Sequence, residues 1–257
     1  MIVRENEHDF VMIEQNYHAQ ISGKMATGLK DSLFSGKAFK KSVLYAIENH
    51  DYAWKLIDKE PFWNDQKQAP YTFVDFPNTP KTIFYKHGID EVEKNDAYAG
   101  LLCSEHYSRF LSDNTSKEAT AFVQQEKERR QRIIQSMDDF AEHLFDFHYG
   151  LLQFFDSLAL YVCLNEPGIS KENEHPFFRG GIPVSPSLTF FNDNKVPIYW
   201  KDDKTVIMNE FPFYHPLEIM IKQKRVSKDT ISSQGLIGSY LRAVPEHVNI
   251  RLQSPEI

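Results

Sequence analysis

The sequence predicts a mainly α-helical fold, a helical bundle with an N-terminal β-hairpin and a small β-rich C-terminal appendage. Three observations predict it. Apolar residues recur at helical spacing through much of residues 15–164. Two short apolar runs near the N-terminus flank a charged turn. After Pro167, prolines and glycines become frequent and short β-prone runs replace the helical pattern. We therefore expect a single domain over residues 1–257, with a helical core at 15–164 and an appendage at 167–257 packed on it.

The first part of the chain divides into a hairpin, two helices and a long irregular stretch. The hairpin is predicted over Ile2 to Glu14. One helix is expected from about Asn16 to Leu29, and a second from after Gly36 to about Ile57. The stretch from Pro61 to Gly88 contains four prolines and many aromatic residues, which is typical of a lid, a binding loop or a packed surface loop.

Three further helices and several strands complete the prediction. A third helix fits Glu91 to Leu111, and a charged helix fits Lys117 to Gln135, where the arginines indicate a solvated face. A long final helix, capped by Asp138 or Asp139, is expected to run to about Leu164. In the appendage, which can pair with the N-terminal hairpin, strands are predicted at Leu188–Phe191, Pro197–Trp200, Thr205–Met208 and Leu217–Val226.

The composition is that of a soluble globular protein, with 41 % apolar and 25 % charged residues. The net charge of -7 argues against a nucleic-acid-binding or membrane-binding surface, although a metal can still attract an anionic substrate into a pocket. The polar N-terminus lacks the apolar region of a signal peptide, and the most apolar stretch, 150–164, is short for a membrane span. We expect a cytoplasmic protein. Cys103 and Cys163 are too few for a disulfide framework and are expected as reduced core thiols.

Each of four predicted helices carries one ionisable residue inside an otherwise apolar stripe, where positions three and four apart share a face. These residues are His18, His50, His106 and Asp156. Asp156 stands in LLQFFDSLALYVCL, where a buried carboxylate is very costly unless it has a cation, strong hydrogen-bond donors or a proton. The four side chains therefore predict one shared, buried polar pocket.

Asp51 follows His50 directly and extends this set. Adjacent helical residues differ by about 100° in direction, so both can point at one ion that lies between them. Imidazole and carboxylate ligands suit a hard or borderline divalent metal. The alternative is a buried hydrogen-bonded network without a metal. A second His-Asp pair, His8-Asp9, lies in the predicted hairpin and has no assigned role.

A histidine on an early helix, His-Asp on a later helix and an aspartate on a late helix resemble the HD-domain superfamily of metal-dependent phosphohydrolases. The matching segments, NYHAQISGKMA, AIENHDYAWKLID and LLQFFDSLALYV, span roughly residues 15–164. The whole chain also resembles a bacterial family of unknown function that opens with the same hairpin and His-Ala helix. The HD resemblance implies an HD-type helical bundle with a divalent ion (Mn, Mg, Zn or Fe) coordinated by His18, His50, Asp51 and Asp156.

The resemblance also implies further site residues. Members with two metals carry additional histidines, and His106 matches such a position, with His87 as another candidate. His148 lies on the Asp156 face two turns away and is expected to be a satisfied core histidine.

The implied activity is hydrolysis of a nucleotide or another small phosphorylated substrate by a water activated at the metal. Asp51 would hold both metal and water. Glu105 is a candidate general base, although a solvated helix face explains it equally, and Arg109 is a candidate ligand of a phosphate oxygen. An aromatic group in the irregular stretch is expected to cover an apolar part of the substrate; its members are Tyr71, Phe73, Phe76 and Tyr85.

Two other functions stay open at this point. Some HD-fold proteins hold two irons and oxidise small substrates with dioxygen, and His87 and His106 would supply the additional ligands. A non-catalytic HD bundle that binds a ligand is the third hypothesis. The sequence contains no adjacent His-His pair, which argues against a cyclic-dinucleotide phosphodiesterase, and neither a phosphate-binding loop nor a dinucleotide fingerprint. It does not indicate the oligomeric state.

Overall fold

The computed structural model describes residues 1–255. This part of the chain contains eight α-helices, one of which is long and central, and a six-stranded sheet that packs beside the helical core. The helices are α1 (Gln15–Thr27), α2 (Lys40–Asn49), α3 (Asn78–Asn95), α4 (Ala97–Leu111), α5 (Lys117–Gln135), α6 (Glu142–Leu164), α7 (Lys228–Gln234) and α8 (Leu236–Arg242). The strands are β1 (Ile2–Glu5), β2 (Asp9–Ile13), β3 (Trp63–Asn64), β4 (Ala69–Pro70), β5 (Ile182–Pro183), β6 (Lys195–Val196), β7 (Ile198–Trp200), β8 (Thr205–Met208), β9 (Leu217–Ser227) and β10 (Pro245–Gln253).

The central helix is α6, which packs against α1, α2 and α4. Its sequence is apolar on nearly every face, as expected of a helix surrounded by other elements. Of the described helices, α6 is the one long and apolar enough to cross a membrane, but 78 % of its most apolar window is buried inside the protein. Its composition is therefore accounted for by its position in the core, which is consistent with a soluble protein.

The large sheet has the strand order β1-β2-β9-β10-β8-β7. All neighbouring strands are antiparallel except β10 and β8. The N-terminal hairpin thus joins the C-terminal strands through β2 and β9, which confirms the predicted pairing. In β9, the buried side chains alternate with exposed ones along much of the strand, as the period of two predicts for a half-covered sheet.

The large sheet has six strands and includes the N-terminal hairpin, so the β structure is more extensive than the small appendage that was predicted. The fold is therefore mixed α/β and not clearly a pure helical bundle. The described residues of the C-terminal third also contain α7, α8 and β10, which the sequence pattern did not indicate. Both helices are only seven residues long, and β10 begins at a proline with mostly exposed side chains. Short, exposed elements carry little apolar periodicity, which is the reason they were missed.

Two predicted helix boundaries were wrong. The second helix ends at Asn49 and not near Ile57, and a short 3-10 turn follows at Tyr52–Trp54. The third helix, expected from Glu91 to Leu111, is two helices that meet at Asp96. Asp96 has an extended backbone, and its carboxylate accepts a hydrogen bond from Ala99 N, so it caps α4.

Two smaller predictions also fail, while one boundary pair is confirmed. The segment Leu188–Phe191 forms turns and not a strand, and its apolar residues are explained by packing, with the Phe191 ring 4.9 Å from that of Phe154. The last long helix begins at Glu142, so Asp138 and Asp139 do not cap it. The charged helix α5 has the predicted bounds.

Candidate metal centre

Three elements bring the predicted ligands together. His18 lies in the first turn of α1, His50 and Asp51 form the turn that ends α2, and Asp156 lies in the middle of α6. Because α1 packs on both α2 and α6, these side chains meet in the interior. Both histidines are fully buried, and the Asp51 and Asp156 side chains are 4 % and 14 % exposed. The buried polar pocket predicted from the helical stripes is present.

The donor atoms lie close together, in two groups of three residues that share His50. Nε2 of His18 is 3.0 Å from Oδ1 of Asp156, and Nε2 of His50 is 3.3 Å from the same oxygen. Oδ2 of Asp51 is 3.4 Å from Nδ1 of His18 and 3.6 Å from Nε2 of His50. One ligand atom from each of His18, His50 and Asp51 lies within 4.8 Å of the others, and the same holds for His50, His106 and Asp156.

The contacts of the two histidines decide which ring nitrogens could bind a metal. Nδ1 of His50 lies 2.7 Å from the carbonyl oxygen of Ile47, and donating to it leaves the lone pair on Nε2. That Nε2 is buried and has no close hydrogen-bond partner, and the nearest carboxylate oxygen, Oδ1 of Asp156, lies 3.3 Å away. Nδ1 of His18 lies 3.2 Å from the carbonyl oxygen of Gln15, and its Nε2 lies 3.3 Å from the main-chain oxygen of Asp156, so without a metal both ring nitrogens of His18 face acceptors. An unpartnered, buried nitrogen lone pair among carboxylates is what a metal ligand requires.

The electrostatics of the cluster point the same way. Burial lowers the pKa of His18, but Asp156 and Asp51 outweigh it through hydrogen bonds and charge, and raise this pKa to about 10. Burial raises the pKa of Asp156, but His50 and His18 outweigh it and hold this pKa far below its usual range. Without another cation, protons on the histidines therefore balance the two carboxylates. A divalent metal would supply the same compensating charge.

His106 lies beside this cluster on α4. Its ring centroid is 5.0 Å from that of His50, and its ring edge packs against Phe110. Burial and the neighbouring charge of His50 lower the pKa of His106 to about 4, so the ring is neutral at pH 7. A neutral imidazole at this position is available as a metal ligand.

A cavity of about 290 Å³ leads from the cluster to the surface. Asp51, His106 and Asp156 contribute to its lining, and most of the remaining wall is apolar or aromatic. Of the aromatic residues predicted to cover a substrate, Phe73 and Tyr85 line the cavity. The rings of Tyr71 and Phe76 contact each other, and Phe76 also packs on Trp54, so these two support the wall from behind.

Three predicted site residues lie elsewhere. Glu105 faces α5, paired with Arg109 at 2.8 Å and with Arg130 at 3.3 Å. The Arg109 guanidinium also lies 4.5 Å from the ring centroid of Tyr149, and neither Glu105 nor Arg109 lines the cavity. His87 is exposed on α3 and lines a surface depression with Asp90 and Arg129. The roles given to these residues stay predictions, and the arrangement of the centre does not include them.

Two other histidines behave as the sequence indicated. Nδ1 of His148 is 2.7 Å from the hydroxyl of Tyr98, and its Nε2 is 2.9 Å from the carbonyl oxygen of Ser35, which makes it a satisfied core histidine. His8, from the second His-Asp pair, is 85 % exposed, and its neighbour Asp9 binds Arg225. The dipeptide alone therefore does not mark the site, and burial separates the two pairs.

Two cavity residues were missed at the sequence level. Lys81 and Gln15 both line the cavity and are both buried. Gln15 stands three residues before His18 and so shares its helical face, a signal that was available. Lys81 was missed because residues 61–88 were expected to be irregular, whereas α3 begins at Asn78.

The comparisons with known proteins give a family but no activity. The model of a family described as "Protein of unknown function (DUF3891)" matches residues 1–228, most of the chain. Searches of curated proteins and of solved structures returned no match. The chain therefore belongs to the DUF3891 family of proteins of unknown function.

Proposed function

We propose that His18, His50, Asp51 and Asp156 bind a divalent metal ion, and that the protein is an HD-type, metal-dependent phosphohydrolase for a small phosphorylated substrate. The observation that carries the proposal is Nε2 of His50. It is buried, has no hydrogen-bond partner, and lies within 3.6 Å of carboxylate oxygens from two different elements. A nitrogen lone pair that faces carboxylates is costly unless a metal ion or a proton lies between them.

The donor set fits a divalent metal of intermediate hardness. Two imidazoles and two carboxylates suit manganese, iron or zinc, and magnesium less well because it prefers oxygen ligands. The two aspartates also neutralise the charge of a dication in a buried site. When bound, such a metal supplies Lewis-acid activation of water and of a phosphoryl oxygen.

Other groups of the protein orient the ligands, extend the donor set and exclude water. Hydrogen bonds from Nδ1 of His18 and His50 to main-chain carbonyls fix both rings before any ion arrives. His106, neutral at pH 7, extends the donor set with His50 and Asp156 toward the cavity. The apolar walls of the cavity exclude water around the bound group, which strengthens the electrostatic interactions of these side chains.

The structure gives less support to the di-iron alternative, and it does not distinguish a hydrolase from a non-catalytic ligand-binding protein. A di-iron oxygenase would use His87 and His106 as additional ligands, but His87 is exposed and lines a different depression. A non-catalytic ligand-binding protein needs the same cavity and metal, so it differs from a phosphohydrolase only in turnover.

The test is release of inorganic phosphate from a panel of nucleotides and small phosphate monoesters by manganese-loaded protein. We expect at least one substrate to be hydrolysed, and the Asp51→Asn variant to lose nearly all of this activity. The matched control is His8→Ala, which changes the exposed His-Asp pair and should keep wild-type activity. Two bound irons with a ligand-to-metal absorption band, and no phosphate release, would instead identify an oxygenase. Metal binding with no turnover of any substrate would support the non-catalytic alternative.

A further inference from the structure

The wall of the cavity contains a buried lysine that no acidic side chain neutralises. Lys81 is 7 % exposed, and its Nζ donates one hydrogen bond, of 3.2 Å, to the main-chain oxygen of Val74. Among the described residues, no carboxylate lies within ion-pair distance of it. The nearby acid, Asp75, is engaged by Lys67 at 2.7 Å and by the main chain and hydroxyl of Thr72. An ammonium carries three donors, so Lys81 has donors to spare in a place where burying a charge is costly.

A second polar group in the same wall is also unsatisfied. Gln15 is 3 % exposed and lines the cavity, and its Oε1 has no hydrogen-bond partner. The main-chain N–H of Gln15 donates to Asp58, which holds this end of α1 in place. Buried polar groups with unused hydrogen-bonding capacity are rare in native proteins. Gln15 Oε1 has no partner and Lys81 Nζ uses one of its three donors, and the two together around one cavity indicate a ligand with matching polar groups.

The rest of the cavity sets the size and the character of that ligand. Inside, the wall is formed by Trp54, Tyr85 and Leu160, and the outer lining includes Phe110 and Phe177, which are 56 % and 54 % exposed. Single exposed phenylalanines are ordinary, but two beside one cavity form an apolar entrance. The volume of about 290 Å³ is just below the range of roughly 300–1,000 Å³ that is typical of drug-sized ligands.

We propose that the ligand is a small aryl or alkyl phosphate monoester, whose anionic group binds Lys81 and whose apolar part lies against the aromatic walls. This inference rests on the proposed function, because the same phosphate would have to contact both Lys81 and the metal held by the cluster, and both line this cavity. A single lysine and a cavity of this size do not match the several negative charges and the length of a nucleoside triphosphate. The substrate class therefore narrows from phosphorylated compounds in general to compact monoesters with an apolar substituent.

The experiment measures binding of phenylphosphonate, which has the required shape and a P–C bond that the proposed reaction does not cleave. Titration calorimetry on manganese-loaded protein compares wild type with Lys81→Met, which keeps an apolar stem and removes the charge. The control is Lys94→Met, on the same helix, where the lysine is 67 % exposed and pairs with Glu91. Both variants change the net charge equally. We expect Lys81→Met to weaken binding roughly tenfold or more, because a charge-assisted hydrogen bond is lost, and Lys94→Met to stay within about twofold of wild type.

Two further compounds test the contributions of the ring and of the anionic group separately. Benzyl alcohol, which has the ring without the anion, should bind far more weakly than phenylphosphonate, and so should inorganic phosphate, which has the anion without the ring. If Lys81→Met does not fold, Lys81→Gln, which can keep the bond to Val74, takes its place, and thermal melting monitors both. The inference is overturned if wild type does not bind phenylphosphonate, or if the Lys81 and Lys94 variants bind it equally well.

The metal content of each sample distinguishes this result from a failure of the proposed function. Metal-loaded protein that binds phenylphosphonate independently of Lys81 would refute the substrate class and leave the metal centre intact. Lys81-dependent binding by protein that holds no metal would uphold the anion site and refute the metal-dependent function.

Discussion

Gly88 of α3 packs directly against the segment that carries the His-Asp pair. Replacing Gly88 with alanine tests whether this packing determines the position of Asp51 in the candidate metal centre. A Cβ atom at Gly88 would lie 2.7 Å from Ala53 N and 2.8 Å from Ala53 Cα and Cβ. Two of these are main-chain atoms, so no side-chain rotation relieves the overlap. Ala53 stands two residues after Asp51, in the 3-10 turn that follows α2. The clash therefore moves the turn that presents Asp51.

The expected change in the free energy of unfolding follows from two opposed effects. Alanine gains about 0.5–1 kcal/mol over glycine inside a helix, and an overpacked core costs typically 1–3 kcal/mol. The control variant Gly238→Ala, within α8, receives the same helical gain, but nothing lies within 4 Å of its new Cβ. We expect Gly88→Ala to be less stable than Gly238→Ala by about 1–3 kcal/mol, which corresponds to a melting temperature about 2–12 °C lower.

The assay is thermal and urea denaturation of both variants, with manganese affinity measured on the folded proteins. Displacement of Asp51 should weaken manganese binding in Gly88→Ala by roughly tenfold, the equivalent of about 1.4 kcal/mol, and leave Gly238→Ala unchanged. If Gly88→Ala equals Gly238→Ala in both stability and manganese affinity, the close packing of α3 on the His-Asp turn is not what positions the ligand.

Three other predictions follow from the same structure. Saturating manganese at 100 times its dissociation constant should stabilise wild type by about 2.7 kcal/mol but have little effect on His50→Ala, as measured by denaturation with and without the metal. Replacing the helix cap in Asp96→Ala should cost about 1 kcal/mol in urea denaturation; no loss would mean that the cap contributes nothing. Burial raises the pKa of both Cys103 and Cys163, so a chromogenic thiol reagent at pH 8 should label them only after unfolding. Because the unfolded thiols ionise near pH 8.5 while the folded ones stay protonated, their contribution to stability should fall as the pH rises above that value.

The buried cluster could be predicted from the sequence because helical periodicity alone assigns faces. His18, His106 and Asp156 each interrupt an apolar stripe, and a helix that packs through that stripe must bury them. His50 was found by the same reasoning and Asp51 as its direct neighbour, although α2 ends at Asn49 and the pair lies in the turn beyond it. His50 still lies in the predicted cluster, because its Nδ1 is hydrogen-bonded to the main-chain oxygen of Ile47 in the last turn of α2.

Helical periodicity could not predict the cavity, because the cavity is formed where segments distant in the chain come together. Lys81 comes from the start of α3, in a stretch whose prolines suggested no helix. Glu105 and Arg109 looked accessible beside His106, but the sequence does not show that α5 supplies Arg130 to pair with Glu105. Charge pairing between helices depends on tertiary packing, which is the reason that the members of the buried cluster were predicted better than the groups around it.

The central claim is that this cluster binds a metal, and elemental analysis tests it most directly. Wild type, Asp156→Asn and His8→Ala are saturated with manganese, zinc or iron, freed of unbound ion and analysed for metal per chain. We predict at least one ion per chain in wild type and in His8→Ala, and a large loss in Asp156→Asn, which keeps the shape of the side chain but removes its charge. Equally little metal in wild type and Asp156→Asn, with each of the three metals, would contradict the account.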